Sequence, residues 1–427
     1  MTSDPRRDEA YAWIWLPGAT EPCVAGRISR AGERLVFNYG KSYLEHPQAI
    51  PIYLPELPLG RGVIPPAPGL AMAGCLRDGA PDAWGRRVIL NRILGSRGRE
   101  ADLDALDELT YMLESGSDRI GALDFQASPT AYRPRAARTA RLEELLGAAE
   151  KIEKGVPLRS ELELALLHGS SLGGARPKAM FEDGTKKLIA KFSSSTDTYN
   201  VVKAEYAAMR LAASVGLDVA PVSLQHVAGK DVLLVERFDR VHNAQGWQRR
   251  AMVSALTLFG LDEMMARYAS YEDLTEIIRH RFSLPKETLR ELFGRLVFNI
   301  LCGNTDDHAR NHAAFWDGEH LSLTPAYDIC PQNRTGNEAT QAMLITGENR
   351  RSRLATCLAA APQFLLDART AEDLIAHQID RMRMAWPAVA EEARLSEVDR
   401  NLLAGRIFLN PFIFEEAPAR LGGALVR

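Results

Sequence analysis

The sequence predicts a mixed α/β (α+β) chain with a small β-rich N-terminal part and a mostly helical C-terminal part. Three observations predict it. Residues 10–54 alternate short apolar and polar runs broken by glycine and proline, the pattern of short strands. In the middle, strand-length apolar runs such as Leu188-Ile189-Ala190 and Val232-Leu233-Leu234-Val235 flank a stretch of helical spacing. Beyond residue 250, apolar residues recur at three- and four-residue steps over long spans.

Taken in order, residues 11–16, 23–28 and 34–37 read as strands of one small sheet. Residues 60–68 are rich in proline and glycine, hence a loop. Asp82 is placed to cap a helix through residues 83–90, and a second helix is predicted over 103–113. Arg133, Arg135, Arg138 and Arg141 form a basic stretch with little apolar content, read as a solvated linker. Leu142, Leu145, Leu146, Ala149 and Ile152 fall at helical spacing. Residues 185–192 read as a strand and 199–215 as a helix stopped by Gly216. Leu289, Leu292, Phe293, Leu296, Val297 and Ile300 line one stripe of a helix that ends at Gly303-Asn304. Residues 371–394 and 397–407 read as further helices. The expected domains are 1–130, 131–250 and 251–427.

Composition narrows the class. The 427 residues allow two or three domains. A net charge of −3 argues against a surface-wide nucleic-acid trap. Five scattered cysteines make no C-x-x-C pair, which points to a reducing compartment without structural zinc or a disulfide framework. The charged start leads into no apolar signal core, and no apolar run reaches the roughly 18–20 residues that span a bilayer. A soluble, cytoplasmic protein without membrane partners is expected.

The chemistry concentrates in Asn304-Thr305-Asp306-Asp307-His308-Ala309-Arg310-Asn311 and in Leu323-Thr324-Pro325-Ala326-Tyr327-Asp328. An acid, an amide five positions on and a second acid after a short hairpin is the order in which kinase-like folds hold a base and two magnesium ligands. Residues 312–316 and 320–323, joined by Asp317-Gly318, predict that hairpin. Ahead of this lies Gly169-Ser170-Ser171-Leu172-Gly173-Gly174-Ala175-Arg176-Pro177-Lys178, whose glycines allow backbone N–H groups close to phosphate oxygens. It is neither a Walker A loop nor G-x-G-x-x-G, and alone it reads equally well as a turn before a strand. Lys191 stands in an apolar strand with Glu205 on the following helix, the lysine–glutamate order of kinases. Glu236-Arg237-Phe238 follows an apolar strand where a hinge would meet adenine. His308 and His312 lie close together, but no zinc spacing supports a metal there; His308 is expected to orient a loop or a phosphate.

Together with Ile189-Ala190-Lys191-Phe192 and Glu236-Arg237-Phe238-Asp239-Arg240, these segments resemble the HipA family of bacterial toxin kinases. Pro51-Ile52-Tyr53-Leu54-Pro55 and Arg77-Asp78-Gly79-Ala80-Pro81-Asp82 resemble the family's N-terminal subdomain, so the likeness is to the full-length form. The resemblance implies a two-lobed protein-kinase-like fold and a serine/threonine kinase of a type II toxin–antitoxin module using ATP and Mg2+. It implies a helix-turn-helix antitoxin as partner, DNA contact only through that complex, and an aminoacyl-tRNA synthetase as the kind of substrate whose phosphorylation stalls translation. By the motif, Asp306 would be the catalytic base, and Asn311 and Asp328 the metal ligands. Lys191 would contact the α and β phosphates, and Gly173, Gly174, Ala175, Arg176, Pro177 and Lys178 would cover them. Glu236, Arg237 and Phe238 would hold adenine, with His308 and Tyr327 nearby. Ser171, or the adjacent Ser170, would be autophosphorylated and switch the kinase off. Two alternatives share these residues: a small-molecule kinase of aminoglycoside or choline type, and a catalytically silent antitoxin- and DNA-binding co-repressor. For the latter, Arg350, Arg351 and Arg353 are candidate DNA contacts, with a solvated face as the simpler reading.

Overall fold

A computed structural model describes residues 7–95, 98, 101–135, 140–156, 176–334, 336 and 338–422. The architecture is mixed α/β, β-rich in the N-terminal region and helical in the C-terminal region. Two compact units arise: one from Met1–Thr196, His226–Asp262 and Phe315–Glu319, the other from Asp197–Gln225, Glu263–Ala314 and His320–Arg427.

In the first unit, β1 (Glu9–Ile14), β2 (Cys23–Ala31) and β3 (Arg34–Tyr39) form an antiparallel sheet with β4 (Leu123–Gln126), in the order β3-β2-β1-β4. A bulge between Ala12 and Trp13 shifts the β1–β2 register. Asp82 caps the helix Ala83–Leu94 through Gly85 N at 2.8 Å, as the sequence predicts. The next helix is Glu108–Glu114 and not 103–113. Its cap is Asp107, whose Oδ1 accepts from Thr110 N at 3.3 Å, and Asp102 closes a turn upstream through Ala105 N.

A second sheet places β5 (Lys178–Asp183), β6 (Lys186–Phe192) and β8 (Lys230–Glu236) side by side, all antiparallel. The chain passes from the second unit to the first within β7 (Val222–Val227). Leu188, Ala190 and Phe192 alternate onto the buried face of β6 and join Val88, Ile89, Leu145, Leu146, Ile152 and Leu234 in one apolar cluster. By the same two-residue period, Lys191 stands on the opposite face from that core.

Within the basic stretch, Arg133 and Arg141 are exposed, as a solvated linker requires, whereas Arg135 is not. Arg135 Nε donates to the Ser115 carbonyl at 2.7 Å, and its Nη2 to Asp124 Oδ1 at 3.0 Å and the Phe125 carbonyl at 2.7 Å. A carboxylate eleven residues upstream recruits it, which no local pattern announces.

The second unit is built on the helix Pro285–Leu301, opened by Pro285 in its first turn. Leu289, Leu292, Phe293, Leu296, Val297 and Ile300 are fully buried along its stripe. Against it pack Tyr271–Arg281, Leu354–Ala360 and Ala368–Glu392, and Val201–Ser214 packs in turn on Ala368–Glu392. The predicted 397–407 helix splits into Glu397–Leu402 and a π-helical turn, Leu403–Ile407. Arg350 and Arg353 are not a free basic face. Arg353 is 7% exposed and pairs with Glu415 and Glu416, and Arg350 donates to the carbonyls of Ala342 and Arg267.

Candidate active site

The catalytic segment begins where Pro285–Leu301 ends. Gly303 takes φ +70° past the helix C-terminus, and a Cβ there would lie 2.9 Å from Ile407 Cγ2, so glycine is required. The backbone is then pinned at successive points: Asn304 N donates to the Asn299 carbonyl at 2.8 Å, Gln332 N to Gly303 O at 2.9 Å and Ala342 N to Thr305 O at 3.1 Å.

Asp306 follows and is exposed. The 3-10 turn Ala309–Asn311 folds the segment back, with Asn311 N donating to the His308 carbonyl at 2.8 Å. Asn311 Nδ2 donates to the Asp306 carbonyl at 3.1 Å. The amide nitrogen thus anchors the turn.

The return path is fixed as firmly. Thr324 N donates to Ala313 O at 3.1 Å, closing the predicted hairpin. Ala326 N donates to Asp218 O at 2.8 Å and Ala220 N to Ala326 O at 2.9 Å. Tyr327 hydroxyl donates to the Arg310 carbonyl at 2.6 Å, tying the Tyr327-Asp328 segment to the catalytic turn. Asp328 itself sits at φ +58°, a left-handed conformation uncommon for a residue with a side chain and concentrated at functional sites.

Beneath these residues is a polar floor absent from the sequence reading. Asp307, 1% exposed, receives the Tyr271 hydroxyl and stands 2.9 Å from His312 Nε2. Burial opposes its charge, but His312 and Tyr271 outweigh burial and hold the carboxyl below its ordinary value. Arg295, 3% exposed, donates to the Thr324 carbonyl at 2.9 Å. Arg295, Asn299, Asn304, Asp307, Asn311 and His312 line a cavity of ≈ 10 Å³, about the room of one water. Arg295 and Asn299 fall four apart on the helix Pro285–Leu301, and both are buried. Asp307 and Tyr271 share no such spacing.

The other predicted residues divide. Lys191 lies in the first unit, paired across the sheet with Lys178 and Leu233 by backbone register. Glu205 lies in the second unit, 3% exposed on the helix Val201–Ser214. Glu236 ends β8, and Phe238 meets Phe315 edge to face at 5.8 Å. Arg237 has a buried side chain, engaged by Asp118 and Asp239. Lys178 is 2% exposed and its Nζ pairs with Asp82 Oδ2 at 2.8 Å, so its charge is engaged inside the first unit. Pro177 accepts Phe192 N through its carbonyl at 3.0 Å. Ser170, Ser171, Gly173, Gly174 and Ala175 lie outside the described residues.

Comparison with known proteins decides the family. Residues 170–386 match the HipA-like C-terminal domain, and residues 19–126 match the HipA N-terminal domain. The chain belongs to the HipA family. It is 32% identical over 149 residues to the putative kinase Y4mE of Sinorhizobium fredii, covering 34% of each chain. Against the serine/threonine-protein kinase toxin HipA of Shewanella oneidensis it is 29% identical over 184 residues, covering 37% of this chain and 42% of that one. The chain thus spans less than half the length of either curated relative. A chain of the solved Shewanella oneidensis complex of HipA, HipB and operator DNA shares the fold, with a TM-score of 0.67 at 19% identity and 96% of both chains covered. Among the described residues, no helix of this HipA-family chain is long and apolar enough to cross a membrane.

Proposed function

We propose that this chain is an ATP-dependent serine/threonine protein kinase, the toxin of a toxin–antitoxin module. The observation that carries the reading is the catalytic turn: exposed Asp306, whose backbone carbonyl anchors Asn311, followed after the hairpin by Asp328 in a left-handed conformation. The donor set fits magnesium, which takes oxygen ligands and is commonly held by one or two side chains plus substrate phosphates. Asn311 Oδ1 and the Asp328 carboxylate would hold it. Bound magnesium supplies positive charge against the phosphate oxygens.

The chain's own residues do the rest. The substrate hydroxyl gives its proton to the Asp306 carboxylate as its oxygen bonds the γ-phosphorus. The bond from γ-phosphorus to the bridging oxygen breaks, and ADP leaves with that electron pair. Lys191 would hold the α and β phosphates and pair with Glu205. The backbone of Glu236 and Phe238 would hold adenine, with His308 and Tyr327 bordering the site. The glycine-rich loop of Gly173 to Arg176 would cover the phosphates. Ser171 or Ser170 would be modified in that loop, its added charge repelling ATP.

The regulatory partner would be a helix-turn-helix antitoxin like the HipB of the solved complex, with DNA reached through it. The protein substrate would be of the aminoacyl-tRNA synthetase kind that the family resemblance implies. Mass spectrometry after incubation with ATP and Mg2+ tests the proposal. Phosphoserine at 170 or 171 in the native chain and none in Asp306→Asn is expected. Phosphate on neither, with a small molecule phosphorylated instead, would overturn it.

A further inference from the structure

The densest cluster of buried charge in the first unit surrounds the candidate hinge. Arg237 lies between Glu236 and Phe238, and its side chain is 1% exposed. Its Nη1 donates to Asp118 Oδ1 at 3.1 Å and to the Asp118 carbonyl at 3.2 Å; its Nη2 donates to the Arg119 carbonyl at 2.7 Å. Arg240 converges on the same segment. Its Nε and Nη2 reach Asp118 Oδ1 at 3.0 and 2.8 Å, and its Nη1 reaches the Gly121 carbonyl at 2.9 Å. Lys187 Nζ meets Asp118 Oδ2 at 3.0 Å. Asp239 completes the cluster, accepting from Arg237 Nε at 2.8 Å and from Gly121 N at 2.8 Å.

We infer that Asp118 is a positioning residue for adenine, setting the hinge backbone through Arg237; the inference rests on the kinase reading above. Three cations close on one carboxylate, and Arg237 N also donates to the Lys187 carbonyl at 2.9 Å. The hinge is therefore held three ways: by the sheet through its backbone, by Asp239 through the planar fork of Arg237 Nε and Nη2, and by Asp118, whose carboxylate takes the remaining Nη1. Burial opposes the Asp118 charge, and Arg237, Arg240, Arg249 and Lys187 outweigh it, holding the carboxyl well below its usual range.

A purine edge needs one N–H and one carbonyl in register, and a displacement of about 1 Å removes most of the benefit. Without the Asp118 charge, Asp239 alone compensates both Arg237 and Arg240, and Arg237 Nη1 loses the carboxylate that fixes it beside residues 236–238. Asp118 belongs to the stretch matching the HipA N-terminal domain, whereas Arg237 belongs to the HipA-like C-terminal domain. Both family domains therefore build the nucleotide site.

The test titrates ATP, adenosine and inorganic triphosphate, each with Mg2+, into the full chain and into Asp118→Asn by calorimetry. ATP and adenosine weaken about tenfold in the variant while triphosphate is unchanged, since only the adenine end is mispositioned. Arg237→Lys, which keeps the charge but loses the fork, gives the same pattern and serves if Asp118→Asn does not fold. A folded variant with native adenosine affinity, or an equal loss for all three ligands, overturns the inference. A native chain that binds neither ATP nor adenosine overturns the kinase reading itself.

Discussion

In the first unit, the buried carboxylates Asp124 and Asp239 and the half-buried Asp118 are held by guanidinium groups; in the second, Asp307 is held by a phenol and an imidazole. The difference follows from what each must support. Arginine carries a constant charge and five donors in a plane, so it locks backbone segments distant in sequence. Asp124 joins Arg119 and Arg135, and Asp118 joins Arg237 and Arg240, more than a hundred residues away. In the second unit Asp307 is instead satisfied by one hydroxyl and one imidazole.

The largest expected effect separates chemistry from framework. Asp306→Asn should lower phosphoryl transfer by about 10²–10⁴-fold, the range of general-base catalysis, while calorimetry shows unchanged ATP affinity. Turnover close to that of the native chain would remove Asp306 from the mechanism and with it the functional half of the comparison.

Next comes the framework. Asp239→Asn leaves Arg237 and Arg240 under-compensated at about 1% side-chain exposure each, and should cost about 3–5 kcal/mol in urea unfolding. A loss below about 1 kcal/mol would mean the cluster is solvated. The same carboxylates set an acid limit. Asp118, Asp124 and Asp239 are held below their usual range, burial opposing their charge and the surrounding arginines outweighing it. The unfolded chain therefore binds more protons as pH falls past the unfolded value of about 3.9, and stability declines there towards the folded values. Near-ultraviolet circular dichroism should hold steady from pH 7 to about 4 and then fall. Loss near pH 6 would assign the limit to histidines instead.

Local patterns made much of this legible. Asp82 before an apolar run, alternation along 186–192 and Asp-Gly in the hairpin all state their geometry within a few residues. What the sequence hid depends on partners far along the chain. Arg135 read as solvated because Asp124 is tied to it only by the folded sheet. Arg237 read as a hinge residue, yet its side chain answers to Asp118 across 119 positions. Arg353 looked like a surface cation until Glu415 and Glu416 met it. Charged residues carry no periodic signature of burial, because burial is permitted only by a partner that the pattern does not name.

Tyr271→Phe gives the smallest effect and the sharpest contrast. Burial first, then the Asp307 charge, push the phenol well above its ordinary value, so the hydroxyl remains a donor at any working pH. Phenylalanine keeps the ring against Phe364 at 6.3 Å and His312 at 5.6 Å and deletes only that donor. Asp307 keeps His312 at 2.9 Å, so the site loses one charge-assisted hydrogen bond, about 1.5–3 kcal/mol in unfolding free energy. Tyr271 is not among the residues proposed to hold ATP, so ATP affinity should match the native chain while kcat falls. Should Tyr271→Phe weaken ATP as strongly as Asp118→Asn, the two buried-acid clusters would not be doing separate jobs, and the contrast between a nucleotide-setting framework and a catalytic floor would fail.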